Sequence, residues 1–159
     1  MHSTSKPVRA SQTTMAHLMM PHDANLRGTV HGGVLLSYLD KVAAVCAMRH
    51  SEATVVTASV DSVVFRHAIH VGELVTFYAS VNFVGRTSME IGVKIVTEDV
   101  KTGRQLHSNS CYLTMVAVDD DGKPQEVPHL VCETEDDKRR WAEAEERRAV
   151  RLKLFGKKK

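Results

Sequence analysis

The alternation of apolar and polar positions changes period along this chain. Over residues 34–48, VLLSYLDKVAAVCAM, only Asp40 and Lys41 carry charge. The run is long for a strand and rich in Leu, Ala and Met, so it predicts a helix. Apolar side chains lie on nearly every side, and the helix is therefore expected to be buried over most of its surface. Beyond it the period falls to two. In VTFYASVNFV (75–84), Val75, Phe77, Ala79, Val81 and Phe83 share one face, and Thr76, Tyr78, Ser80 and Asn82 the other. MEIGVKIVTE (89–98) sets Met89, Ile91, Val93 and Ile95 against Glu90, Lys94 and Glu98. TVVTASVDSVVF (54–65) and SNSCYLTMVAVD (108–119) read as two further strands, and residues 12–20 as a short one ahead of the helix. HVGE, VGRTS, KTGRQ and DDDGKP supply the turns.

No crossover helix separates the four long strands, so sequence neighbours should pair antiparallel. Such a sheet, apolar on one face, packs against an all-round apolar helix by curling around it. The expected class is α+β, with about five strands around a long central helix and a second helix at the C-terminus. The outer strand face keeps Tyr78, Val84 and Val96, and an edge strand is left open. Both features point to self-association.

Residues 1–10 read as a flexible leader, 11–130 as the folded domain, and 131–159 as a charged helix with a basic tail. Thr134 and Asp137 have the spacing of a capping box. The helix is expected to be largely solvated and to dock through Trp141, Val150, Leu152, Leu154 or Phe155. The alternative for Lys157, Lys158 and Lys159 is an anion-binding role.

Composition narrows the function classes. A formal charge of +2 over 159 residues gives no footprint for nucleic acid. No apolar run approaches a membrane span, and the N-terminal residues lack a secretory signal's apolar core. Cys46, Cys111 and Cys132 are odd in number and widely spaced, which reads as free thiols in a reducing cytoplasm. His67 and His70 form H-x-x-H without further ligands nearby, so no metal is expected.

Three candidates for chemistry fall close together. Asp40 puts a carboxylate into an apolar helix, where an ion is costly unless paired. A carboxylate held in such surroundings is a candidate general base or nucleophile. The bland alternative places it on a wet stripe beside Ser37 and Lys41. His31-Gly32-Gly33 precedes the helix, whose first N–H groups lack internal partners and suit an anion or developing oxyanion. Asn25 can donate to a carbonyl or hold a water; alone, it reads as an Asx-turn residue.

The array PHDANLRGTVHGGVLLSYLD, followed by VTASVDSVVFRHAIHVGELV and VGRTSMEI, resembles the hotdog-fold acyl-CoA thioesterases, over about residues 13–118. More narrowly, it is similar to their bacterial and cytosolic acyl-CoA hydrolase branch. Relatives often have Pro where this chain has Ala68, and Asp where it has Glu73. The resemblance implies hydrolysis of acyl-CoA to fatty acid and coenzyme A in the cytoplasm, without a cofactor. It implies that Asn25 of one protomer acts with Asp40 of another, and that dimers assemble further into hexamers. By the same resemblance Gly85, Arg86, Thr87 and Ser88 contact coenzyme A. The chemistry then gives Gly33, or Gly32, the role of oxyanion donor, with His31 touching the ligand or orienting the loop. The alternatives are a non-catalytic acyl-CoA sensor and another thioester activity such as enoyl-CoA hydration.

Overall fold

The computed structural model describes residues 4–156. The elements run β1 (Ser5–Pro7), β2 (Thr13–Leu18), α1 (Gly32–Ser51), β3 (Thr54–Val60), β4 (Leu74–Val84), β5 (Ser88–Asp99), β6 (Arg104–Val118), β7 (His129–Val131) and α2 (Glu135–Phe155), with 3-10 turns at Val8–Ala10 and Pro21–Asp23. Five strands form one antiparallel sheet in the order β2-β4-β5-β6-β3, with α1 across its concave face. This is the expected hotdog arrangement. Residues 5–10, read as part of a flexible leader, instead form β1 and a 3-10 turn. β1 pairs in parallel with β7, and Val8 is buried. Met1, His2 and Ser3 lie outside the described residues, as do Lys157, Lys158 and Lys159 with the anion-binding role considered for them.

The helix α1 buries Leu35, Leu39, Val42, Ala43, Cys46 and Ala47, a stripe at helical spacing. It stops where Glu52 turns left-handed at φ 56° and returns its N–H to the Met48 carbonyl at 2.8 Å. The expectation of burial on most sides fails for the single chain. Leu36, Asp40 and Met48 are exposed, because a five-strand sheet reaches around only one side of the helix.

The strand expected over 54–65 ends at Val60, with a bulge between Thr57 and Ser59. Asp61 ties the chain end to the sheet through its N–H to the Tyr112 carbonyl (2.9 Å). Residues 62–69 then leave the sheet, and Phe65 crosses to the start of α1. A Cβ on Gly32 would lie 3.2 Å from that ring, so the glycine permits the approach.

The helix α2 starts as its sequence predicts. Thr134 Oγ1 accepts from the Asp137 N–H, and Asp137 Oδ2 accepts from the Thr134 N–H, both at 3.0 Å. Its docking differs from expectation. Trp141 packs on Phe83 at 4.5 Å between ring centres and Ala144 is buried, but Val150, Leu152, Leu154 and Phe155 are exposed. The rest of the contact is ionic. Glu90, on the outer face of β5 with a side chain 1% exposed, receives Arg147 Nη2 at 2.7 Å and Arg151 Nη2 at 2.8 Å. Burial works against the charge of Arg147, but the hydrogen bonds and field of Glu90 outweigh it and raise its pKa. Arg147 also stacks on Tyr112, 3.6 Å from the ring centre.

Candidate active site

Asp40 projects from the middle of α1 on its exposed side and accepts a hydrogen bond from Thr57 Oγ1 at 2.6 Å. Thr57 was not among the residues singled out from the sequence. It lies on the edge strand β3 immediately before the bulge, a feature that re-aims side chains. The expected burial of Asp40 is not found within one chain. The bland reading, a polar stripe with Ser37 and Lys41, describes that face in part: all three are exposed, but so is Leu36 beside them. Val56, Val60, Val64 and Phe65 are also exposed, giving β3 and the chain beyond it a large apolar surface.

Asn25 sits in a tight loop closed by the Ala24–Val30 bridge. Its Nδ2 donates to Thr29 Oγ1 at 2.9 Å, and its Oδ1 accepts the Arg27 N–H at 2.9 Å and the Thr29 N–H at 3.3 Å. All these partners belong to its own loop, so the amide is held in one orientation and does not touch Asp40 of the same chain. Leu26, the next residue, is fully exposed. Asp23 fixes the loop's other side: its carboxylate accepts the Met20 N–H and its carbonyl the His31 N–H, both at 2.9 Å.

His31 is the residue that caps α1, without a side-chain capping bond, and is exposed; Gly32 and Gly33 are its first helical residues. A Cβ on Gly33 would meet nothing within 4 Å, so the space beside this residue is open. Gly33 and Asp40 are two helical turns apart, about 10 Å along the axis at 1.5 Å per residue. One carbonyl group therefore cannot meet both in the same chain.

Residues 85–87 make the β4–β5 turn, closed by the Gly85 N–H to the Ser88 carbonyl at 2.7 Å. The Arg86 and Thr87 carbonyls accept N–H groups of Val127 and Ala117, which fixes the turn against β6 and the segment after it. The Arg86 guanidinium is exposed, with Glu126 3.9 Å away. Ser88, Val116 and Val56 form one row across β5, β6 and β3, next to the row of Thr57. At about 4.8 Å per strand, the start of β5 lies about 10 Å from β3.

Among the described residues, no three His, Cys, Asp or Glu side chains converge as metal ligands. The buried thiols are poor nucleophiles. Burial pushes Cys46 up to about 12 and Cys111 up to about 11, with lesser opposing effects such as that of Arg49 on Cys46. No described helix is long and apolar enough to cross a membrane.

Comparison with known proteins places this chain in a family. The Thioesterase superfamily model matches residues 27–104. Protein VdlD of Helicobacter pylori is 48% identical over 141 residues, 89% of this chain and 80% of the relative. An apo-hexameric acyl-CoA thioesterase superposes with a TM-score of 0.91 at 41% identity, covering 94% of this chain and 96% of its own. The acyl-CoA hydrolase of Staphylococcus aureus, crystallised with butyryl coenzyme A, coenzyme A and coenzyme A disulfide, superposes at 0.85 with 36% identity and 94% of both chains. The chain belongs to the thioesterase superfamily. Within it, the protein is an enzyme of the acyl-CoA hydrolase branch.

Proposed function

We propose that this protein hydrolyses acyl-CoA thioesters at sites assembled between two copies of the chain. Asp40 of one copy acts as general base on water or as nucleophile on the thioester carbonyl. Thr57 orients its carboxylate. Asn25 of the other copy holds the water or the carbonyl. The N–H of Gly33, or Gly32, in that second copy receives the oxyanion, a donor whose loss typically costs about 2.7–4 kcal/mol. The exposed Arg86 meets coenzyme A phosphates beyond the Ser88 row. A thioester is already activated, so this route asks for no metal or cofactor.

The observation that carries the reading is the Thr57–Asp40 hydrogen bond on an open apolar face. Asn25 is fixed elsewhere in the same chain, and Gly33 is two turns away. A second copy seated on that face covers Leu36, Val56 and Val60 and brings the missing groups to Asp40. The Staphylococcus aureus enzyme supports the choice of residues. Its alanine variants replace an asparagine, an aspartate and a threonine spaced 15 and 17 residues apart, as Asn25, Asp40 and Thr57 are.

The test is turnover of an acyl-CoA panel by Asp40→Asn, by Asn25→Ala and by co-expressed mixtures of the two. Each variant alone should lose at least about a hundredfold in kcat with mass unchanged, and Asp40→Asn with thermal midpoint unchanged. A random mixture should regain about a quarter of wild-type activity, since half the dimers each carry one intact site. Wild-type turnover by Asp40→Asn removes the assignment. An inactive mixture removes the shared site.

A further inference from the structure

Strand β3 and the segment that follows it reach Asp40, the start of α1 and the Asn25 loop. Thr57 holds Asp40. Phe65 lies over Gly32 at the start of α1. The Ile69 carbonyl accepts the Val30 N–H at 2.8 Å, and His70 bridges Thr29, so the segment ends against the loop that carries Asn25. Between these anchors, residues 62–68 are mostly exposed and lie outside helix and strand. Their course depends on how firmly each end is held.

The first end is held from the opposite side of the sheet. Arg151, five residues before the end of the described chain, donates Nη1 to Asp61 Oδ2 at 2.9 Å and Nη2 to Glu90 Oε2 at 2.8 Å. Glu90 is fixed further by Arg147 and by Asn82 Nδ2 at 3.4 Å. One guanidinium thus joins a nearly inaccessible carboxylate in the middle of the sheet to the residue where the chain leaves it. The planar fork of Arg suits this double contact, with two carboxylates on two donor nitrogens. The Arg151 and Asp61 side chains are 16% and 23% exposed, so the bond is shielded from most of the solvent.

We propose that Arg151 is a positioning residue for thioester hydrolysis, acting through Asp61 on the 61–70 segment. This rests on the site reading above. The latch makes α2 a part of the catalytic frame: it sets the segment that covers the oxyanion end of α1 and abuts the Asn25 loop. Arg151 touches no reacting atom. Its loss loosens the alignment of groups around the carbonyl rather than the grip on coenzyme A.

The experiment compares Arg151→Ala, Asp61→Asn and their combination with wild type, using Arg139→Ala as a control on the same helix. Arg139 engages Asp136 and Glu143 only within α2. The readouts are kcat and KM for butyryl-CoA, thermal midpoint and mass in solution. Each latch variant should lower kcat about tenfold, within the range that small misplacements cost, and leave KM within about a factor of two. The double variant should be no slower than the slower single one, and Arg139→Ala should match wild type. A folded Asp61→Asn at wild-type kcat overturns the proposal, as do losses that multiply in the double variant. If Arg151→Ala does not fold, Asp61→Asn, which keeps shape and removes the charge and one acceptor, decides alone. Asp40→Asn run alongside separates the two claims. Inactive Asp40→Asn with fully active Asp61→Asn sinks the latch and leaves the site; active Asp40→Asn sinks both.

Discussion

Two carboxylates on opposite sides of the sheet show what burial does to function. Asp40 sits in an apolar helix yet is exposed, with a hydrogen bond from Thr57 as its anchor. Glu90 sits at a polar position of a strand yet is 2% exposed, held by two arginines and an asparagine. A buried ion persists only when its partners replace water, and those partners leave it no spare capacity for chemistry. Glu90 is consumed by structure. Asp40 keeps an oxygen and an open face, the two features on which the proposed site rests.

The largest test of that contrast is a pair of opposite outcomes. Asp40→Asn should abolish turnover at unchanged stability. Glu90→Gln should do its main damage to stability, because it leaves two guanidinium groups facing a neutral amide. Breaking such a pair costs about 3–5 kcal/mol. Both arginines retain some solvent access, so the lower end applies, a fall of roughly 6–12 °C in thermal midpoint. Denaturation of both variants checks this, and a Glu90→Gln protein as stable as wild type would dissolve the distinction.

A smaller effect sharpens the Asp40 side. Thr57→Val keeps shape and removes the hydroxyl donor. A hydrogen bond to a charged group is worth about 1.5–3 kcal/mol, so kcat should fall roughly ten- to hundredfold. Thr57→Ser should restore most of it. Equal rates for Val and Ser at this position would leave the Thr57–Asp40 bond without a catalytic role.

The contrast also explains what could be read in advance. The strands β4 and β5 were legible because each buries one face against α1, and a period of two records that directly. The exception lies past the register shift between Val81 and Phe83, where Val84 joins the core and Phe83 turns out to Trp141. The capping box of α2 was legible because its two hydrogen bonds are local. Glu90 was read as one more outward polar residue, since nothing in its own strand tells that Arg147 and Arg151, more than fifty residues on, close over it. Apolar residues continue to Phe65, but β3 stops at Val60, because Asp61 is claimed by α2 and Phe65 by the helix start. The exposed side of α1 misled for a related reason. Its apolar residues Leu36 and Met48 face outward in the single chain, and a helix wheel does not distinguish such a surface from a core. Thr57 was hidden as an ordinary strand threonine; its bulge is a property of the β3–β6 pairing.

His50 supplies the finest test of the rule that buried polar groups must be fully partnered. It is fully buried at the end of α1. Its Nε2 lies 2.9 Å from the Pro128 carbonyl, while Nδ1 has no hydrogen-bond partner among the described residues. Burial lowers its pKa, Pro128 opposes that, and the charge of Lys6 adds to the lowering. The folded protein therefore binds this proton less tightly than the unfolded chain. The stability it contributes is complete above the unfolded value, about 6.5, and is lost as pH falls through the folded-state pKa. One such proton bounds the extra slope at about 1.4 kcal/mol per pH unit. Denaturant titrations between pH 8 and pH 5 should show wild type losing stability more steeply than His50→Gln, which retains a donor for Pro128 without a titrating ring. Parallel curves would mean that the unpaired Nδ1 takes a proton at no cost, and that burial governs Glu90 but not His50.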